Sequence, residues 1–267
     1  MSLNLVLDYE SSALAAPQSF KDAMQAAANI LDADIKDNIT VTIQVGYGDW
    51  NNNQITGLGT SAEGGDLYGG YVSYTNLKAA LASHETSTLD QTFVNSLPTG
   101  TSVNGMSGFY VPSAVEKALG MISPTASAID GAVGIGTGVP TADLVGVALH
   151  EFTHAMGREP GACTFDLGRF TSAGNHLFSS GSTAPASYFS IDGGVTKLAD
   201  YGQNSDPSDF LNSGVQGSTD PFDEYYSGST IQTLTTVDLE QLDALGFNTT
   251  GTAPGAPSAT TSTLVAS

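Results

Sequence analysis

His150-Glu151-Phe152-Thr153-His154 sets two histidines four residues apart, with a glutamate directly after the first. Side chains at i and i+4 of a helix share a face, so both imidazoles can point at one metal ion. Zinc accepts such nitrogen ligands, and a carboxylate one step round the helix can act as general base. The run ahead of the motif, Leu144 to Leu149, is apolar and helix-like, which is the context that H-E-x-x-H requires. The chain has four His in 267 residues, so two of them at this spacing around a Glu is a specific signal. The plainer alternative is a helix with two core or surface histidines.

The elements that must position this helix can be read around it. Leu3 to Leu7 reads as a strand. Pro17 opens a helix from Gln18 to Leu31, with Phe20, Met24, Ala27 and Leu31 on one stripe. Ile39 to Val45 alternates apolar and polar residues, as a strand does. A loop follows at Gly46 to Asp49 and through the Asn-rich run, then a second strand from Leu67 to Tyr74. Short helices are predicted for Asn76 to Ala82 and Leu89 to Ser96, an edge strand for Met106 to Val111, and a helix for Pro112 to Leu119. A strand from Ala132 to Ile135 leads into the motif helix, with Thr141 as its expected N-cap and Gly157 as its stop. Beyond Gly157 the chain is rich in Gly, Ser, Asp and aromatics, with one further helix at Thr236 to Leu245. The reading is an α+β fold. Residues 1–157 form a mixed sheet with helices, residues 158–248 an irregular lobe closing a cleft, and residues 249–267 a flexible tail.

Seven Lys plus Arg stand against twenty-seven Asp plus Glu, a net charge of −20. That balance argues against nucleic acid or anionic membrane as partners. No apolar run approaches membrane-spanning length. The N-terminus lacks a basic region followed by a long apolar stretch, so export would use another route or a removed signal. One cysteine, Cys163, rules out an intramolecular disulfide and reads as an inert thiol. His84 reads as a solvated loop residue.

The run His150 to Gly157, H-E-x-x-H-x-x-G, resembles the zincin metallopeptidases and, in its spacing, the metzincin clan. The wider chain is similar to a group of secreted bacterial zinc-peptidase-like proteins. The similar blocks are Gly157-Arg158, Asp166 to Phe170, Tyr188 to Gly194, and Val237 to Phe247. The resemblance implies a two-lobed zincin fold, a bound Zn²⁺, and metallopeptidase action on protein or peptide substrates. It also implies a secreted or cell-surface bacterial protein, expected to be a monomer. Zincins often use Tyr or His to hold the oxyanion, which makes Tyr188 the candidate, with packing as its plainer role. The chain departs from the metzincin pattern at two places. Pro160 stands where the third His is placed, and no Met follows Met156 to form a Met-turn.

A catalytic zinc needs three protein ligands and an open position. Asp166 is the first candidate for the third, being close behind the helix and beside Arg169, which could orient it. His176 is the second, a better ligand by type but set in a Gly174-Asn175-His176 turn. Glu159 and Asp192 come next, although Asp192-Gly193-Gly194 also reads as a tight turn. Asp166 could equally pair with Arg169 or Arg158 and touch no metal. The expected function is a zinc-dependent endopeptidase with Glu151 as general base and His150, His154 and Asp166 as ligands. The alternatives are a metal-containing surface or matrix binding protein without turnover, and a zinc amidase on cell-wall peptides.

Overall fold

Val41, Ile43 and Val45 alternate with Thr42 and Gln44, and all three β-branched side chains are buried in the computed structural model. This period of two makes Thr40–Tyr47 a strand, and it is one of the two interior strands of the main sheet. The structure describes residues 2–180, 184–203, 206–226 and 232–251. In chain order the first elements are β1 (Asn4–Tyr9), the one-turn α1 (Ser11–Leu14), α2 (Gln18–Asp34), β2 (Thr40–Tyr47), β3 (Asp49–Trp50), β4 (Ile55–Thr56), β5 (Ala62–Asp66) and β6 (Gly69–Ser73). Next come α3 (Tyr74–His84), α4 (Thr88–Ser96), β7 (Gly108–Pro112), α5 (Ser113–Ala118), β8 (Gly131–Ile135) and α6 (Leu144–Ala155). A 3₁₀ turn at Thr164–Gly168 precedes β9 (Arg169–Ser172), β10 (Asn175–His176), β11 (Tyr188–Phe189), β12 (Ala199–Asp200) and α7 (Thr236–Leu245).

The fold is α+β. The main sheet runs β1-β2-β8-β5, parallel across its first three strands, with β5 antiparallel at the edge. Helices α2 and α6 pack against each other and against this sheet. A second sheet, β10-β9-β11-β12, is antiparallel throughout. One hydrophobic cluster includes Leu149 and Ile43 as well as Phe165, Phe210 and Leu242, so the segments before and after Gly157 share a core.

Every residue of α6 except Val145 is buried. Gly157 follows the cap at φ +115°, and a Cβ there would lie 2.7 Å from the Pro112 ring. The helix therefore stops where the sequence indicated. Its start is later than expected: Asp143, not Thr141, is the N-cap, and it makes no side-chain cap bond.

Three other readings change. The expected strand from Leu67 to Tyr74 is the shorter β6, which pairs with β7, and β5 just ahead of it in the main sheet has no counterpart in the expectation. His84 ends α3 and pairs with Asp37 at 2.9 Å, so it is not a solvated loop residue. The expected tail is held at its root: Thr249 bridges Ile35, and the Thr250 N–H donates to the Asp34 carbonyl at 2.8 Å. The rest of that tail, 252–267, lies outside the described residues.

Candidate metal centre

Helix α6 presents His150 and His154 one turn apart, and both are buried. Their Nε2 atoms lie 2.9 Å apart. Asp209 completes the group, with its Oδ1 3.0 Å from each Nε2. These are the atoms among the described residues that could hold a metal ion.

Each imidazole is oriented from behind. His150 Nδ1 lies 2.8 Å from the Pro221 carbonyl and His154 Nδ1 2.7 Å from the Arg158 carbonyl. A carbonyl oxygen only accepts, so each Nδ1 carries the hydrogen and each neutral ring turns its Nε2 lone pair inward. Two nitrogen lone pairs and a carboxylate oxygen thus converge, a donor set that could hold a metal ion. Tetrahedral zinc with ~2.0 Å bonds separates its ligand atoms by about 3.3 Å, close to what is seen. Two imidazoles and one carboxylate are three ligands, which leaves a position open toward the cleft for a metal held there.

Arg158 brings a positive charge to the group. Its guanidinium is fully buried and stacks on the Phe222 ring at 4.2 Å. Nη1 donates to the Ser208 carbonyl at 2.9 Å and reaches Asp209 Oδ1 at 3.4 Å, while Nη2 lies 2.8 Å from His154 Nε2. Burial pushes the His154 pKa down and the Arg158 charge adds to this. Burial also opposes a charged His150, but the Asp209 carboxylate reverses the effect and holds that pKa up. For Asp209, burial is outweighed by the two imidazoles it faces, His150 first, so it stays ionised.

Asp209 is carried by a turn. Asp206 accepts the Ser208 N–H at 2.7 Å, and Asp209 N–H donates back to the Asp206 carbonyl at 3.1 Å. Glu151 lies against edge strand β5. A Cβ on Gly64 would come within 2.4 Å of the Glu151 carbonyl and 2.9 Å of its carboxylate, so only glycine allows this approach. Burial raises the Glu151 pKa to about 7. A cleft of about 760 Å³ opens over the group, lined by Thr60 to Gly64 on one side and by Asp223 to Tyr226 on another.

The structure corrects the third-ligand expectation. Asp166 is fully buried away from the histidines. Its Oδ2 accepts the N–H groups of Gly161, Ala162 and Cys163 at 2.9, 2.7 and 3.3 Å, and its Oδ1 lies 3.4 Å from Arg169. It locks a turn. His176 packs on Phe170 and stacks with Phe178 at 6.0 Å. Asp192 accepts from Ser190 and Thr196 in its own turn, and Glu159 is not in the group. Tyr188 is also displaced from its expected role: its hydroxyl donates to the Gly194 carbonyl at 2.6 Å, and it does not line the cleft. Tyr226 does, with its hydroxyl 3.3 Å from His150 Nδ1 and 2.6 Å from the Pro221 carbonyl. Cys163 is buried, and burial pushes its thiol well above the usual range.

Asp209 and Tyr226 were missed from the sequence. Asp209 is one of nineteen Asp, 55 residues beyond His154 and tied to it by no periodicity. Its one local signal is the Asp206-Pro207-Ser208-Asp209 turn. Among the described residues no helix is long and apolar enough to cross a membrane. The chain matches no family model, no curated protein and no solved structure.

Proposed function

We propose that this protein is a zinc-dependent peptidase in which His150, His154 and Asp209 hold the metal and Glu151 is the general base. The observation that carries the reading is the position of Glu151. It follows His150 on a buried helix, borders the cleft that contains the three-atom group, and has a pKa near neutrality. The resemblance of the motif to zincins supports the same reading, as does the mixed sheet with an antiparallel edge strand beside the motif helix.

Zinc in such a site supplies a water that ionises near pH 7 and a Lewis acid for a carbonyl oxygen. The chain's residues do the rest. Glu151 takes a proton from the attacking water at its carboxylate and returns it to the amine nitrogen as the C–N bond breaks. Burial, then the charges of Glu151 and Asp209, hold the Tyr226 phenol well above its usual pKa, so it remains an O–H donor. Turned from the Pro221 carbonyl toward the cleft, that O–H can stabilise the developing oxyanion. Strand β5 is the edge of its sheet, and Ala62, Glu63 and Gly64 line the cleft, which suits an extended peptide lying alongside.

The test is hydrolysis of casein and of a quenched-peptide mixture by the zinc-loaded protein, with and without chelator. Glu151→Gln should keep the metal and lose roughly 10²–10⁴-fold in rate. Turnover that survives both the chelator and this substitution would refute the proposal.

A further inference from the structure

The cleft wall carries four carboxylates that neither the metal group nor the general base uses: Glu63, Asp206, Asp223 and Glu224. Glu63 projects from β5, and burial followed by the Asp206 charge raises its pKa, so these two face one field. Asp223 is the most informative of them. It is 1% exposed, and its Oδ1 accepts from Gln216 at 3.1 Å, while its Oδ2 has no hydrogen-bond partner. It stands two residues after Pro221, whose carbonyl orients His150, and directly after Phe222, whose ring meets His150 edge-on at 6.4 Å. A buried carboxylate oxygen left unpaired beside a cleft is costly unless a donor arrives there.

The chain has no cation of its own to supply. All seven Lys and Arg fall within the described residues. Lys117 pairs with Asp130, Lys197 with Asp200 and Arg169 with Asp166. Lys21, Lys36 and Lys78 donate to main-chain carbonyls. Arg158 is committed to Thr153, Ser208 and the metal group. None except Arg158 approaches the site, and none lines the cleft. A second metal ion is a poor fit, because among the described residues the His150, His154 and Asp209 atoms are the group that converges closely enough to hold one. Carboxylates spread along a wall suit instead an extended organic cation with several N–H donors.

We propose that this wall selects a lysine or arginine side chain of the substrate next to the scissile bond, with Asp223, Glu63 and Asp206 as its counter-charges. The inference rests on the peptidase reading for the words "scissile bond" but not for the binding itself. Binding is therefore tested apart from turnover, in zinc-loaded Glu151→Gln protein, by fluorescence anisotropy. The probes are two labelled octapeptides that differ only in a central Lys or Gln.

The Lys peptide should bind roughly tenfold tighter at low salt, with the advantage shrinking as salt is raised. Asp223→Asn and, separately, the exposed-site change Glu63→Gln should each reduce that ratio. Equal binding of the two peptides, or a ratio that neither substitution alters, would overturn the inference. Hydrolysis by the wild-type chain separates the two proposals. If the Lys peptide binds preferentially and neither peptide is cut, only the peptidase reading fails. If the Gln peptide is bound and cut as well as the Lys peptide, only the selectivity fails.

Discussion

Asp209 Oδ1 lies 3.0 Å from His154 Nε2, across 55 residues of chain. The residue that closes the histidine pair thus comes from the C-terminal half, and not from the segment just behind the helix. This has a direct consequence for metal binding. Asp209→Ala should lower zinc affinity by more than the roughly 10–100-fold typical of changes behind a ligand. Asp166→Ala should leave the affinity of the folded protein near normal, because Asp166 holds the 161–163 turn. Titration against a competing chelator checks both. Loss of zinc in a folded Asp166→Ala protein, with retention in Asp209→Ala, would restore the sequence expectation.

The contrast between Asp166 and Asp209 marks how far the sequence could be read. Where chemistry depends on local spacing, it was legible. The His150 and His154 face follows from helix geometry. Helix α7 was bounded at Thr236 and Leu245 as observed, and a capping box between Thr235 and Asp238 fixes its start. Strand β5 was illegible because Gly64 and Gly65 lower strand propensity, and tertiary contact requires glycine at 64, where a Cβ would strike the Glu151 backbone. Asp209 was illegible because its partners are set by the path of a turn-rich segment, which no periodic pattern encodes. Proximity in sequence and a neighbouring Arg favoured Asp166, and that Arg contact is real but structural.

Tyr226 and Tyr188 can be told apart by kinetics. If Tyr226 holds the oxyanion, Tyr226→Phe should lower kcat by roughly 10²-fold, the scale seen when one such donor is removed. KM should change little. Tyr188→Phe loses only the bond to Gly194 and should leave kcat within about twofold. Equal and small effects of both changes would remove Tyr226 from the mechanism.

Arg158 presents a positive charge to two of the same acceptor atoms that a bound metal would use. Its Nη2 reaches the His154 lone pair at 2.8 Å, and its Nη1 shares Asp209 Oδ1 at 3.4 Å. Arg158→Met should therefore destabilise the metal-free protein by roughly 3–5 kcal/mol, the scale for breaking a buried charge pair. Zinc supplies positive charge to the same acceptors, so the loss should be smaller in the zinc-loaded form. Calorimetric melting of both forms checks this. A gap between loaded and metal-free melting temperatures that is unchanged or narrower in the variant would contradict the argument.

Asp243 on α7 lies near enough to Asp90 on α4 for a hydrogen bond between the two carboxyls when Asp243 is protonated. Burial first, then that bond and the Asp90 charge, push Asp243 up to about 9. Burial acts on Asp90 as well, but the bond from Asp243 and the N–H groups of Thr86 and Ser87 outweigh it and hold Asp90 low. Asp243 is therefore the protonated donor. In the unfolded chain it releases its proton near pH 4. Between about pH 4 and about pH 9 the folded state thus binds more protons at this site than the unfolded state, and stability falls as pH rises. The contribution is complete at the acid end and lost once pH passes the folded value. The depressed Asp90 works in the opposite sense, but only below about pH 4, outside this window. Asp243→Asn keeps a donor for Asp90 and removes the proton release. Melting temperatures at pH 5 and pH 9 should converge in the variant relative to wild type, with the variant more stable at pH 9 by several degrees. Comparison with wild type cancels the general repulsion of a chain with net charge −20. An identical pH dependence in the two proteins would mean that the Asp90–Asp243 contact does not hold a proton.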